Sequence, residues 1–269
     1  MAFNSYEMIF DGISCNKFGL MLYDIGSFRQ NENINITSAG KPITDSISRR
    51  VSSILYGTEK NIPLTFNLVL VVSPDRIESS QYLDRYELQK ITGWLTGHDS
   101  WKWLKIIQPD LETIRYKCLI TEITEITIVG QPWALNCVVT CDSPYAYMNP
   151  NQFEYTIGEN PTNILFRNRS SFNGTYYPKI EIILGISKNI EIKNVSNKNS
   201  IFKFTNIPSG VTSISIDNDK QIISNNLKIN LYPYFNFGWL GFVRGDNQLV
   251  VTGDCTLNFI CEFPVNVGA

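Results

Sequence analysis

Short apolar runs set off by turn-forming residues dominate the chain. Tyr6 to Phe10, Phe18 to Tyr23, Asn61 to Val72, Cys118 to Val129 and Trp133 to Cys141 are rich in β-branched and aromatic residues, with Gly, Pro, Asn and Asp between them. That punctuation predicts strands. The second half alternates: Lys179-Ile180-Glu181-Ile182, Ile190-Glu191-Ile192-Lys193 and Ser213-Ile214-Ser215-Ile216 each place apolar residues at every second position. Such strands have one wet and one buried face. Asp217-Asn218-Asp219-Lys220 reads as a hairpin turn between Ile216 and Ile222. Regular short strands with frequent turns predict a sandwich.

One segment departs from this pattern. Ser73-Pro74-Asp75 offers an N-cap, a proline at the first helical position and an acid in the first turn. Leu83, Leu88, Ile91, Trp94 and Leu95 fall within an arc of about 140° on a helical wheel. Asp84 and Glu87 interrupt that arc, and Gly97 is a natural stop. A helix is therefore expected over about residues 74–96, its start lying at Pro74 or nearer Ser80. The prolines of Ser143-Pro144-Tyr145-Ala146-Tyr147-Met148-Asn149-Pro150 mark a domain boundary near residue 150.

The 269 residues suit two medium domains, and 43% hydrophobic with 18% charged residues supplies a real core. The formal net charge of −2 comes without a Lys/Arg block, which argues against nucleic-acid recognition. The start MAFNSYEMIFDG lacks the basic and apolar regions of a secretory signal. The most apolar stretch, Ile62 to Val72, is far short of the ~20 residues a membrane helix needs. A cytoplasmically made protein without membrane insertion is expected. Cys15, Cys118, Cys137, Cys141, Cys255 and Cys261 are too widely spaced for a disulfide framework and read as buried thiols. The sequons at Asn35, Asn168, Asn173 and Asn194 read as by-products of an Asn-rich composition.

Chemistry is sparse. The single histidine lies in Thr96-Gly97-His98-Asp99-Ser100, but adjacent residues do not converge as a triad does, so a polar loop is expected. Cys137 and Cys141 flank β-branched residues, and four strand steps of ~3.3 Å hold them about 13 Å apart, too far to share a zinc ion. Cys255 and Cys261 are further apart still. Asp217, Asn218 and Asp219 resemble the start of a calcium loop, but Ile222 occupies the glycine position and no suitable Glu follows. Glu122, Glu125, Glu154, Glu159, Glu181 and Glu191 read as charges on wet strand faces. No phosphate-binding loop, nucleophile elbow or zinc-protease motif occurs. No catalytic, cofactor-binding or metal-binding residue is assigned, no cofactor is expected, and the protein is expected not to be an enzyme. Aromatics make up 12% of residues; Trp101 and Trp103, and the group Tyr232, Tyr234, Phe235, Phe237 and Trp239, suit a core, a sugar-stacking face or a protein interface.

Several segments resemble one known family. Phe10-Asp11-Gly12-Ile13-Ser14 followed by Phe18-Gly19-Leu20 looks like the start of siphovirus-type phage tail proteins. Ile91-Thr92-Gly93-Trp94-Leu95 is similar to the end of that family's helix, and Thr140-Cys141-Asp142-Ser143-Pro144-Tyr145-Ala146-Tyr147 to the close of its first domain. Pro178-Lys179-Ile180-Glu181-Ile182 and Gly245-Asp246-Asn247-Gln248-Leu249-Val250-Val251-Thr252-Gly253 resemble its later strands. The resemblance spans the chain and implies a phage distal tail protein of mainly β class. Residues 1–149 would be a β-sandwich-like, ring-forming domain with one α-helix. Residues 150–269 would be an outward-facing, galectin-like or carbohydrate-module-like β-sandwich. The implied partners are its own copies in a homo-hexamer ring, the tail tube protein and the tail-associated hub or fibre protein. A receptor-binding protein or host carbohydrate would meet the second domain. The implied place is the virion tail tip or baseplate, flexible or contractile, after synthesis in the bacterial host cytoplasm. Phe28 to Arg50, which lacks helix or strand periodicity, is expected to be a long hairpin or arm supplying ring contacts. The rival classes are a carbohydrate-binding adsorption module, tested at Trp239, and a tail hydrolase.

Overall fold

The computed structural model describes residues 6–23, 41–45, 53–59, 63–76, 82–109 and 112–266. The chain divides into two compact units, Met1–Tyr147 with Asn266–Ala269, and Met148–Val265. The first unit contains β1 (Met8–Phe10), β2 (Ile13–Ser14), β3 (Leu20–Tyr23), β4 (Lys41–Asp45), β5 (Ile54–Glu59), β6 (Thr65–Val72), α1 (Arg85–Thr96), β7 (Lys102–Ile106), β8 (Ile114–Ile128) and β9 (Gln131–Cys141). β10 (Ala146–Met148) follows at the junction. The main sheet runs β2-β1-β7-β8-β9-β6-β3, and β4 pairs with β5 as a separate antiparallel ribbon. Of the expected arm at Phe28 to Arg50, only residues 41–45, the β4 strand, lie among the described residues.

Alternation along the strands explains the layers. Leu68 and Leu70 of β6 face the core beneath α1's side of the sheet with Leu20, Leu104, Tyr116 and Leu135, all buried. Val69 and Val71 point the other way and, with Ala134, form a small second cluster under Met21, Tyr23, Ile126 and Trp133. β6 is thus buried on both faces, which is why its sequence reads as a near-continuous apolar run.

The helix is shorter than its sequence suggests. Ser73-Pro74-Asp75 forms a turn, with the Asp75 N–H donating to Ser73 Oγ at 3.4 Å and the Arg76 N–H to the Ser73 carbonyl at 3.2 Å. The N-cap is Asp84: its side chain accepts from the Glu87 N–H at 2.8 Å, and Glu87 accepts from the Asp84 N–H at 3.0 Å. The acids that interrupt the apolar arc are a capping box. Ile91, Trp94 and Leu95 are the helix's buried residues.

The second unit is a two-sheet sandwich, built from β11 (Asn151–Ile157), β12 (Thr162–Asn168), β13 (Lys179–Leu184), β14 (Ile190–Asn194), β15 (Ser200–Phe204), β16 (Ser213–Asp217), β17 (Ile222–Asn225), β18 (Gly245–Thr252) and β19 (Cys255–Cys261), with the short β20 (Pro264–Val265) following outside both sheets. One sheet runs β11-β19-β13-β16-β17, the other β12-β18-β14-β15. Inward residues of both, among them Ile180, Ile182, Leu257 and Phe259 from the first and Phe166, Ile192, Phe202 and Val251 from the second, share one core. The alternation at residues 179–182, 190–193 and 213–216 is realised, with each isoleucine buried and each polar partner outside or half-buried. β16 and β17 form the expected hairpin, Asp217 opposite Ile222. No described helix is long and apolar enough to cross a membrane.

Candidate interaction surfaces

The residues that invite a catalytic reading hold the fold together. His98 Nε2 lies 2.7 Å from the Trp94 carbonyl, at the end of α1. The His98 ring meets Phe10 edge-on at 5.4 Å, and Asp11 pairs with Lys102 at 3.1 Å. Asp99 and Ser100 are exposed and carry no bond to His98. The cysteines are free and buried. Burial pushes the Cys137 and Cys255 thiols up to about 12, away from ready ionisation. Among the described residues, no group of three or more His, Cys, Asp or Glu is placed to hold a metal ion. Asn218 turns inward: its amide donates to the Pro178 carbonyl at 2.7 Å and its oxygen accepts from the Leu240 N–H at 2.9 Å. That is a structural strut. Glu122, Glu125, Glu154, Glu159 and Glu181 are exposed on their strands or turns, and Glu191 pairs with Lys203 at 2.9 Å.

The motifs that carry the family resemblance also meet as packing contacts. Phe18 stacks on Trp94 at 4.6 Å, and the Trp94 indole N–H donates to the Phe10 carbonyl at 3.1 Å. Gly19, at φ 62, ends the 3-10 turn Cys15–Phe18, and a Cβ added there would lie 3.1 Å from Arg76 Cδ. Arg76 also pairs with Glu87, and Glu87, Gly19 and Ser73 line one cleft of about 580 Å³. At the end of the unit, the Tyr147 hydroxyl donates to Asp142 at 3.1 Å, and Lys117 holds Asp142 from the other side at 3.1 Å. Burial is the main reason the Tyr147 phenol is pushed up to about 12.

Two features face solvent without a folding role of this kind. The first is the tip of the β8–β9 hairpin. Val129 and Gly130 take φ of 50° and 76°, the same values as Asp11 and Gly12 in the β1–β2 turn. This primed turn suits Asn or Asp and strains a β-branched residue. Val129 is nevertheless 97% exposed, beside Ile128 at 54%.

The second is an aromatic pair on the sandwich. Phe237 is 62% exposed at φ 58° and stacks on Tyr232 at 6.1 Å. Asn236 pins this turn to β15, accepting from the Lys203 and Gly238 N–H groups and donating to the Ile201 carbonyl. The Tyr232 hydroxyl donates to the Gln221 carbonyl at 2.8 Å, beside β17. The rings are thus anchored to edge strands of both sheets. Trp239 is half-buried edge-on against Phe235 at 4.8 Å and belongs to the core margin. Trp103 lies under the Arg115 guanidinium at 3.7 Å, and Trp101 is 44% exposed.

Sequence reasoning missed the asparagines. Asn168, Asn194 and Asn247 are buried, and each spends its amide on backbone of the segment from Gly241 to Gly245. The visible signal was the Asn-rich composition itself, which read as incidental.

A family model described as the phage tail protein N-terminal domain matches residues 3–143. A second, described as the phage tail C-terminal domain, matches residues 145–261. Among solved structures, the crystal structure of SPP1 Dit (gp 19.1), described as a paradigm of the hub adsorption apparatus in Gram-positive infecting phages, is 13% identical with a TM-score of 0.66, covering 96% of this chain and 99% of that one. The phage P2 baseplate in its activated conformation with calcium is 11% identical at a TM-score of 0.52, covering 95% and 97% of the two chains. The same baseplate with strontium is 12% identical at 0.52, covering 96% and 97%. At these identities the likeness is one of fold. None of the curated proteins matches the chain. With both halves matched in order, the chain belongs to the phage tail protein family and carries that family's N-terminal and C-terminal domains together.

Proposed function

We propose that this protein is a distal tail protein whose copies close a six-membered ring between the tail tube and the tail-tip hub. Residues 1–149 form the ring and residues 150–269 face outward. The observation that carries the reading is the end-to-end likeness to SPP1 Dit, 96% of one chain on 99% of the other. The physical make-up agrees with a scaffold. His98 and the cysteines serve packing, while an apolar hairpin tip is held out at Ile128 and Val129. Closed rings use heterologous contacts, so one projecting element meeting a different patch on the next copy suffices. The role is structural and non-enzymatic, at the tail tip of the particle. Light scattering on the purified full chain, alone and with the tail tube protein, tests it: a mass of six copies is expected. A monomer in both conditions overturns the ring.

A second reading is favoured by the exposed Phe237 stacked on the half-buried Tyr232, which offers a rigid apolar face to a sugar ring. The full chain is expected to bind a host-wall saccharide on a glycan array, and Phe237→Ala to abolish that binding with no change in fold. Trp239 is the poorer probe because its ring packs on Phe235. No glycan retained by the full chain sinks this reading and leaves the ring untouched.

A further inference from the structure

One pair of cysteines faces across the middle of the first unit's sheet. Cys118 on β8 and Cys141 on β9 are register partners. The Asp142 N–H donates to the Lys117 carbonyl at 2.9 Å, so Lys117 and Asp142 are a hydrogen-bonded pair. The next pair along, Cys118 with Cys141, is then a non-hydrogen-bonded one. The Cys141 N–H agrees, pointing away from β8 to the Leu64 carbonyl at 2.9 Å. At such a position Cα atoms lie about 4.5 Å apart, with both side chains on one face. A disulfide spans roughly 4.4–6.8 Å between Cα atoms, so no backbone movement is needed to form one.

The other cysteines are placed differently. Cys137 lies opposite Ile123, Cys255 opposite Ile157 and Leu184, and Cys261 opposite Asn151. Cys15 accepts from the Met8 N–H at 3.4 Å. Cys118 and Cys141 both show 0% exposure. The thiol-to-thiol hydrogen bond, and then burial, hold the Cys118 thiol far above the ordinary 9.0.

We propose that Cys118 and Cys141 are a latent cross-strand disulfide site, closed by exchange with a low-molecular-weight disulfide and reopened by free thiols. In the closing reaction one protein thiol gives its proton to water and attacks a sulfur of glutathione disulfide. The glutathione S–S bond breaks and one glutathione leaves as thiolate, taking up a proton. The facing cysteine then loses its proton and attacks the protein sulfur of the mixed disulfide, and the second glutathione leaves. Two protein thiols are oxidised and one glutathione disulfide is reduced to two glutathiones. The new bond clips β8 to β9 and closes the loop containing the Ile128–Gln131 tip. Constraining that loop in the unfolded chain stabilises the fold. The raised thiol and its burial make closure slow at neutral pH, gated by local opening of the hairpin and faster as pH rises. In a reducing cell the pair stays open, and in an oxidising medium it closes. The chemistry is independent of ring assembly.

The test uses the folded full chain incubated with glutathione disulfide at neutral and mildly alkaline pH, then quenched in acid. Remaining thiols are blocked under denaturing conditions and the digest is mapped by mass spectrometry. One Cys118–Cys141 peptide pair and four blocked thiols of the six are expected, with the intact mass lower by two hydrogens. Closure is expected to be faster at the higher pH and reversed by dithiothreitol, and the oxidised protein to melt higher than the reduced. Cys118→Ala and Cys141→Ala are each expected to trap a persistent glutathione adduct on the remaining cysteine. Six blocked thiols after prolonged incubation, a pairing of other cysteines, or a cross-linked protein that melts lower than the reduced form overturns the proposal.

Discussion

Asn194 and Asn247 are hydrogen-bonded side chain to side chain at 3.0 Å, and neither is exposed to solvent. Asn247 also accepts from the Val243 N–H at 2.9 Å and donates to the Val243 and Gly245 carbonyls at 2.8 and 3.0 Å. Asn194 reaches the Gly241 carbonyl at 2.9 Å and accepts from the Ser196 and Asn197 N–H groups. The pair therefore satisfies backbone that has no strand partner, in the irregular run that leads into β18. A buried amide that completes all its bonds is tolerated, but one left half-paired is costly.

Replacing Asn247 with Ala leaves the Val243 N–H, two carbonyls and the Asn194 amide without it. A loss of about 3 kcal/mol is expected from urea unfolding, given ~1–3 kcal/mol for an orphaned buried group. A change below about 0.5 kcal/mol would show that water takes over the bonds. The same burial means that the sequons at Asn168 and Asn194 are not acceptors in the folded chain.

The Phe18–Trp94 stack joins two segments far apart in sequence. Trp94→Phe keeps a ring but loses the N–H bond to the Phe10 carbonyl, and about 1–2 kcal/mol is expected to go. Phe18→Ala removes the stacked ring and is expected to cost more, about 3 kcal/mol. Both are read from denaturant midpoints. Equal, negligible effects would contradict the part assigned to this pair.

Alkaline pH is expected to weaken the fold. The Cys137, Cys255 and Cys261 thiols are raised from 9.0 to about 12, chiefly by burial, and the Tyr147 phenol from 10.0 to about 12. The folded chain keeps these protons when the unfolded chain has lost them, so unfolding releases protons and stability falls with rising pH. The contribution is whole below pH 9.0 and is lost on the way to about 12. Urea midpoints across that range are expected to be level first and then to drop, and Tyr147→Phe to flatten the part above 10.0. A midpoint constant up to pH 12 contradicts the burial assigned to these groups.

Val129 adopts the same φ, 50°, as Asp11, yet it is a β-branched residue. Val129→Asn is expected to stabilise the isolated chain by about 0.5–1 kcal/mol, because Asn tolerates this backbone. The same change removes the exposed apolar tip and is expected to lower the fraction of assembled rings in light scattering. A variant that is more stable and assembles as well as the parent would detach the tip from the ring contact.

The strands were legible because alternation reports burial directly, as at Lys179 to Ile182. The helix start was not, because Ser73-Pro74 and Asp84 both carry capping chemistry and only the fold decides between them. Asp84 and Glu87 looked like flaws in an apolar stripe, yet their three-residue spacing is the capping signature. The resemblance motifs Phe18-Gly19, Trp94-Leu95 and Asp142 to Tyr147 were visible as words, but their meaning lies in contacts that bridge distant segments: Phe18 on Trp94, Trp94 to Phe10, and Lys117 to Asp142. The Cys118–Cys141 pair was hidden for a related reason. Counting outward from the Ile128–Gln131 tip pairs Cys118 with Cys141, but register shifts at Ile126/Thr127 and Ile120/Glu122 intervene, and only the structure shows that they cancel.

The central claim is a ring subunit at the tail tip, and a cryo-electron reconstruction of the assembled tail end tests it most directly. The account predicts six copies of this chain in one ring between the last tail-tube ring and the hub, with residues 1–149 around the channel and residues 150–269 outside. A tail tip whose ring is made of another protein, or this chain placed elsewhere on the particle, would contradict it.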